Sequence, residues 1–447
     1  MTQRILVPFR GTSSGIGELT WGQADIWAAM QRQRSSLCVG GAFPLPPGTT
    51  VSKVAADLQF LMGRHDCLRT RLRFAADGRP LQVMSRSGEV PLEVIDPGDA
   101  DPAAVAAATH AHYEDKVFDY EREWPIRWAV ISRDTSASHL VSAISHVAVD
   151  GRGALALDQD LARRDPVTGQ ASGPVTALQP LELARQQAAP AARRQNAAAL
   201  RYWERTLRSV PARRLTESAD QRSPRYWQAA YQSPVSYLAV QALAARTRAS
   251  TSAVLLAAYA VVLGQLAASH PVVIQVVVDN RFRPGFADVA SPLATSVPCV
   301  IDVADVPFEE VVAQAVRTTL NAYKLAYYSP VERAELEARI VRERGETVDL
   351  SCFFNDRRMS SRTEPPAGQP PSASAARGAL PQSVLSWGWQ RDLPCDTCFL
   401  SLNNVPGTLV YELYADTRYL TPASMEACLR GLEATVLDAA TKGGRHP

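Results

Sequence analysis

Lysine is nearly missing from this 447-residue chain: Lys53, Lys116, Lys324 and Lys442 stand among 47 basic residues, and the rest are arginine. The charge gathers into no block or stripe, and its formal net value is +2. Nothing in it suggests the concentrated positive face a nucleic-acid groove requires. No apolar run approaches the roughly 18 residues of a membrane-spanning helix; the longest, Ala253–Gly264, reads as a buried helix. The opening MTQRILVPFR lacks an apolar core of signal-peptide length, being interrupted by Pro8 and Arg10. Seven cysteines, an odd number without framework spacing, argue for a reducing, cytoplasmic setting. The one CxxC, Cys395-Asp396-Thr397-Cys398, has no second ligand pair, so no metal is expected. His110 and His112 sit in an alanine-rich helical stretch and read as solvated.

What remains is the composition of an ordinary globular protein, 46% hydrophobic and 21% charged. A chain of this length exceeds what one hydrophobic core supports, so two lobes are expected. Periodicity predicts helices over 20–33, 51–63, 101–120 and 152–164, with strands over 69–74, 80–84, 126–132 and 140–149. Residues 165–190 turn rich in Gly, Pro, Gln and Ser, which places the boundary near 175, giving lobes 1–175 and 176–447. Further helices are expected over 191–207, 235–267, 307–327, 332–344 and from Pro422. Strands are expected over 272–278 and 348–354, with a hairpin of 397–402 and 408–414. Residues 360–383, rich in Pro, Ala and Ser, read as a mobile loop.

The segment with the most chemistry is Val141–Gly153, VSAISHVAVDGRG. Its β-formers deliver His146 to a break at Asp150-Gly151, where glycine supplies the backbone freedom of a turn. An imidazole titrates near neutral pH, so His146 is a candidate general base. On the residues alone a hydrogen-bonded core histidine is the commoner reading of a lone histidine in a strand. A candidate nucleophile stands elsewhere, in Gly11-Thr12-Ser13-Ser14-Gly15, which fits the hydrolase elbow pattern. No helix starts convincingly at Gly15–Glu18, so this stretch reads as a flexible lead-in instead.

Five stretches in order resemble the condensation domain of nonribosomal peptide synthetases. They are Leu19–Trp27, Arg64-His65-Asp66-Cys67-Leu68-Arg69-Thr70, Ser145-His146-Val147-Ala148-Val149-Asp150-Gly151, Tyr202-Trp203 with Leu207, and Ser252–Arg281. Thr295-Ser296 stand where the family carries asparagine-threonine. The resemblance spans nearly the whole chain. It implies a mixed α/β fold of two chloramphenicol-acetyltransferase-like lobes in a V around a central tunnel.

The resemblance also implies acyl transfer from a phosphopantetheinyl thioester, with no bound cofactor. The expected activity is that of a free-standing condensation enzyme of secondary-metabolite, antibiotic-type biosynthesis. Its partners would be an acyl or peptidyl carrier protein in trans, or coenzyme A, and an amine acceptor; no nucleic acid and no membrane are expected. His146 matches the catalytic histidine, as base or as positioning group. Gly151 matches the glycine whose amide faces the thioester carbonyl. Asp150 matches a structural acid paired with Arg281, a pair expected to link the lobes. Two departures stand out: Ser145 replaces the first motif histidine, a structural residue, and Arg152 follows the glycine. Arg152, Thr295, Trp387 and Trp389 are candidate tunnel residues; Arg152 read as solvent-facing, and the tryptophans read as packing aromatics, are the competing roles. Residues Arg64–Thr70 are expected to tie a helix end to a strand. An ester-forming transferase with an alcohol acceptor, and a carrier-binding scaffold without turnover, are the alternatives.

Overall fold

In the computed structural model, residues 2–165, 168–212, 215–267, 270–360 and 373–442 are described. They divide into two units. The first holds the chain up to Arg194 together with Asp279–Ala294 and Ser329–Val331; the second holds Gln195–Val278, Thr295–Tyr328 and the chain from Glu332.

The first unit runs β1 (Thr2–Arg10), β2 (Gly15–Glu18), α1 (Trp21–Gln33), β3 (Val39–Pro44), α2 (Val51–Arg64), β4 (Thr70–Phe74), β5 (Pro80–Met84), β6 (Ser87–Ile95), α3 (Pro102–Asp115), β7 (Ile126–Arg133), β8 (Ser136–Ile144), α4 (Gly151–Ala162) and α5 (Pro180–Ala188). Its main sheet has the order β1-β6-β7-β8-β3, antiparallel except between β6 and β7. A small antiparallel sheet follows the order β2-β5-β4. Helix starts follow local chemistry: Thr20 and Gln23 close a reciprocal cap on α1, and Thr50 caps α2. Val54, Leu58, Leu61 and Met62 recur at helical spacing, so α2 buries one face in a core shared with Leu92, Val130, Val149 and Leu157.

The Arg64–Thr70 stretch ties more than a helix end to a strand. Asp160 on α4 receives Arg64 Nε at 2.7 Å and contacts His65 Nε2 at 2.9 Å, joining the end of α2 to α4. Burial pushes the Asp160 carboxyl up, but the hydrogen bonds and charges of His65 and Arg64 outweigh it and hold it well below the usual range. Arg69, fully buried, pairs with Asp66 and donates to the carbonyls of Ser13 and Ser85. The glycine-serine stretch is therefore fixed, not a flexible lead-in. It leads into strand β2, and Ser13 Oγ donates to Asp66, so no nucleophile elbow forms.

Residues 165–190 also hold more than a linker. α5 is fastened to the first unit by Gln187, which accepts the Trp21 amide at 2.8 Å. Just before α5, Gln179 accepts the Asp66 amide at 2.9 Å. The division accordingly falls at Arg194.

The chain continues with α6 (Pro190–Ser209), β9 (Tyr226–Ser233), α7 (Pro234–Thr247), α8 (Thr251–Ala267), β10 (Val272–Val278), β11 (Thr295–Ile301), α9 (Phe308–Leu325), α10 (Pro330–Arg344), β12 (Cys352–Asp356), α11 (Ala373–Gly378), β13 (Val384–Arg391), β14 (Cys398–Val405), β15 (Thr408–Asp416) and α12 (Pro422–Lys442), the second unit taking α6 from Gln195 and α10 from Glu332. Its sheet has the order β11-β10-β12-β14-β15-β9-β13, with β12 parallel to both β10 and β14. α8 is buried almost all round, as its uniformly apolar sequence requires. The single helix expected over 235–267 is two: Arg248 turns left-handed (φ 55°), and Ser250 accepts the Ala253 amide to start α8 afresh, at 107° to α7. No single helix among the described residues is long and apolar enough to cross a membrane. Strands β1, β2, β3, β6, β9, β11 and β13 are not among those expected from the sequence. Of the expected loop 360–383, residues 361–372 lie outside the described residues; Ala373–Gly378 is helical.

Two helix glycines mark where the returning segment packs. A Cβ on Gly153 in α4 would stand 1.8 Å from the Ala290 carbonyl oxygen, and one on Gly22 in α1 would stand 2.0 Å from that of Pro292. Both obstacles are backbone, which cannot swing aside. Gly153→Ala and Gly22→Ala, helix-favouring changes on propensity alone, are expected to destabilise the first unit by about 2–3 kcal/mol. Urea unfolding of the two variants measures it; unchanged midpoints would contradict the packing.

Candidate functional site

The site is built at the end of β8. Ile144 is the last residue of the ladder, paired with Val39 and Ile126. Beyond it the carbonyls of Pro125 and Ser36 take the amides of Ser145 (2.9 Å) and His146 (3.1 Å), and Ala148 N returns to Ser145 O at 2.9 Å. These bonds turn the chain out of the sheet. His146 thus stands in a tight turn, not in a strand reaching Val149 as its apolar neighbours suggest. Those neighbours, Val147, Ala148 and Val149, are buried because the turn itself packs into the core, while His146 is half-buried.

Ser145 is fully buried. Its hydroxyl lies 3.1 Å from the Tyr120 hydroxyl, which donates to Ser36 Oγ at 2.7 Å; Ser36 Oγ also accepts the Phe118 amide at 3.0 Å. Burial pushes the Tyr120 phenol up to about 12, so it stays a neutral donor.

Asp150 is the N-cap of α4, and every bond direction of its carboxylate is used. One oxygen accepts the Gly153 amide (2.7 Å) and Arg281 Nη2 (2.7 Å); the other accepts Arg281 Nη1 (2.9 Å) and the Leu293 amide (3.0 Å). Arg281 in turn donates to the carbonyls of Val289 and Ser291 and to Asp279 Oδ1 at 3.0 Å. Both partners are only 5% exposed. Burial pushes the Asp150 carboxyl up, but the Arg281 charge and the hydrogen bonds outweigh it, and the group sits below the usual range. The pair does not link one unit to the other. Arg281 belongs to Asp279–Ala294, which leaves the second unit's sheet between β10 and β11 and packs in the first unit, so the pair closes inside the first unit.

Gly151, first residue of α4, is exposed, with open space for 4 Å around the place of a Cβ. Arg152 is not simply solvent-facing: its Nε donates to Asp279 Oδ2 at 3.1 Å. The first unit therefore assembles Ser145, His146, Asp150, Gly151, Arg152 and Arg281 around one turn. The remaining candidates belong to the second unit. Thr295 is buried and donates its hydroxyl to the Ala326 carbonyl. Trp387 and Trp389 lie on β13, a terminal strand of its sheet: Trp387 meets Trp227 edge-on at 5.6 Å, and Trp389 carries the Arg391 guanidinium at 3.7 Å.

Sequence reading missed Asp279, which joins Arg152 to Arg281, and the two glycines that admit residues 290–292. The glycines did leave a signal, since each occupies a helix position where alanine is the better former. Ser36 and Tyr120 left none. Among the described residues no cluster of three or more His, Cys, Asp or Glu side chains is placed to hold a metal. Cys395 is half-buried and Cys398 is buried in β14, where Tyr259 lies beside it.

A model of the condensation domain matches residues 17–362. A probable non-canonical nonribosomal peptide synthetase, CymA of Salinispora arenicola, is 28% identical over 291 residues, 60% of this chain and 4% of that protein. The chain thus spans a small part of that relative's length. A solved structure concerned with condensation domain-mediated chain release from the enacyloxin polyketide synthase is 22% identical, with 98% of this chain and 85% of that one covered at a TM-score of 0.72. The X-domain solved with OxyB from teicoplanin biosynthesis is 18% identical, with 97% and 95% covered at a TM-score of 0.74. At these identities the likeness establishes a shared mixed α/β fold.

Because folding lowers the pKa of Asp150, its pair contributes full stability above the unfolded value of about 3.9 and loses it as pH falls through the lower folded value. Asp150→Asn should flatten that acid limb. Removing the charge from Arg281 alone, as Arg281→Met, should cost about 3–5 kcal/mol at neutral pH. Denaturant unfolding across pH 2–8 reads both; an Asp150→Asn curve parallel to the parent would refute the assignment.

Proposed function

Because the chain belongs to the condensation-domain family, we propose that it transfers an acyl group from a phosphopantetheinyl thioester to an amine, forming an amide in nonribosomal peptide biosynthesis. The thioester arrives on a carrier protein or as coenzyme A. The proposal concerns the family's chemistry, since the curated relative is far longer than this chain. One observation carries it: half-buried His146 on the turn after β8 and exposed Gly151 at the start of α4 are joined by a segment whose end is fixed by the buried Asp150–Arg281 pair.

In this reading the amine nitrogen bonds to the thioester carbonyl carbon while His146 accepts its proton. The Gly151 amide donates to the oxygen that gains charge. As the carbon–sulfur bond breaks, the thiolate leaves and takes a proton, which His146 returns. Asp150 is architectural, because its lone pairs are spent on Arg281 and on two backbone amides. An alcohol acceptor would react by the same geometry to give an ester.

A second reading, a docking scaffold without turnover, draws on Ser145 in place of the first motif histidine and on the likeness to an X-domain solved with OxyB. The presence of His146 on a fixed turn favours the first.

Acyl thioesters of coenzyme A and of a carrier protein, incubated with paired amine and alcohol acceptors, are expected to give the amide by product mass. His146→Ala should slow this about 10²–10⁴-fold. Gly151→Ala, for which the fold leaves room, should keep its unfolding midpoint and its backbone amide, so a fall in turnover would report the added methyl crowding the thioester. Carrier binding with no product from any acceptor would sink the transferase reading and support the scaffold.

A further inference from the structure

The turn bearing His146 has lost the family's first histidine, yet its geometry is closed. Ser36 holds it twice. Its carbonyl accepts the His146 amide at 3.1 Å, and its hydroxyl accepts Tyr120 Oη at 2.7 Å, which in turn meets Ser145 Oγ at 3.1 Å. A phenol has one hydrogen. With that hydrogen directed at Ser36, Ser145 must be the donor to Tyr120, so the chain of hydroxyls has one direction: Ser145 to Tyr120 to Ser36. Ser145 and His146 are adjacent, and both ends return to Ser36. Three hydrogen bonds therefore close a ring around the backbone that presents the imidazole.

The ring is anchored on both sides. The Tyr120 side chain packs edge-on against Trp27 with centroids 5.2 Å apart and lies 6.2 Å from Phe118. The Phe118 amide donates to the same Ser36 oxygen at 3.0 Å. Ser36 and Ser145 are both fully buried, so neither hydroxyl can exchange its partner for bulk water.

We infer that Tyr120 is a positioning residue for His146, acting through Ser145 and Ser36 to set the turn that carries the imidazole. The inference rests on the reading of His146 as the reactive group. It assigns a reason to Ser145: a short hydroxyl side chain, itself fully buried, reaches half-buried Tyr120 at 3.1 Å.

The test needs no substrate and so stands apart from the transferase assay. Tyr120→Phe removes both hydrogen bonds of the phenol and Ser145→Ala removes one of them; the double variant breaks no bond that Tyr120→Phe leaves intact; Tyr113→Phe removes a buried phenol of the same unit whose hydroxyl bonds to Glu93 instead. In NMR spectra of the full chain, the His146 ring signals are expected to move in both single variants and to reach the same place in the double variant. Exchange of the His146 amide should quicken roughly ten-fold. Tyr113→Phe should leave both readouts as in the parent. Unmoved ring signals and unchanged exchange in folded Tyr120→Phe would overturn the inference, and so would an equal response to Tyr113→Phe, which would mark a general loosening.

Discussion

The buried pair of Asp150 and Arg281 is the constraint on which the site depends. A carboxylate and a guanidinium taken out of water are tolerable only when nearly every lone pair and proton is met, and here they are met by two backbone amides, two carbonyls and Asp279. The same carboxylate caps α4, so the start of that helix, the turn carrying His146 and the segment Asp279–Ala294 are determined together. The backbone that carries His146 and Gly151 is held in place by charge on one side and by hydroxyls on the other.

That arrangement separates architecture from reactivity within one short motif. Asp150 has no lone pair to spare for a proton in transit, and Ser145 is turned inward to Tyr120. His146 and Gly151 are the members left with access to solvent. Arg152, one residue further on, spends its charge on Asp279. The result is a turn whose inner residues are fully engaged and whose outer residues, His146 and Gly151, reach solvent.

Much of this was legible in the residues. The motif placed His146, Asp150 and Gly151 together, and its matching arginine was found at Arg281, because a buried acid demands a cation and the family pattern named it. The extent of β8 was misjudged: Val147 and Val149 look like strand residues, but they are apolar because a turn packs into the core, and periodicity cannot tell those cases apart. The break at Arg248 escaped for a related reason, since α7 and α8 are both apolar and the signal to restart is a single serine cap. Tyr120 and Ser36 were invisible because their roles depend on contacts between residues far apart in sequence. The lobe assignment of Arg281 failed on connectivity: a segment can belong by packing to a unit it does not adjoin along the chain.

The close approach of Gly22 and Gly153 to the carbonyls of Pro292 and Ala290 makes inheritance across this chain non-modular. A hybrid joined near Arg194 from two relatives would bring an Asp279–Ala294 segment from one parent against helices from the other. Such a graft keeps its fit only if the donor's loop follows the same path over both glycines and returns an arginine to Asp150. Recombination at that seam therefore exchanges a piece of the first unit's interior along with the second, and compatible exchange has to carry the loop with the helices it rests on.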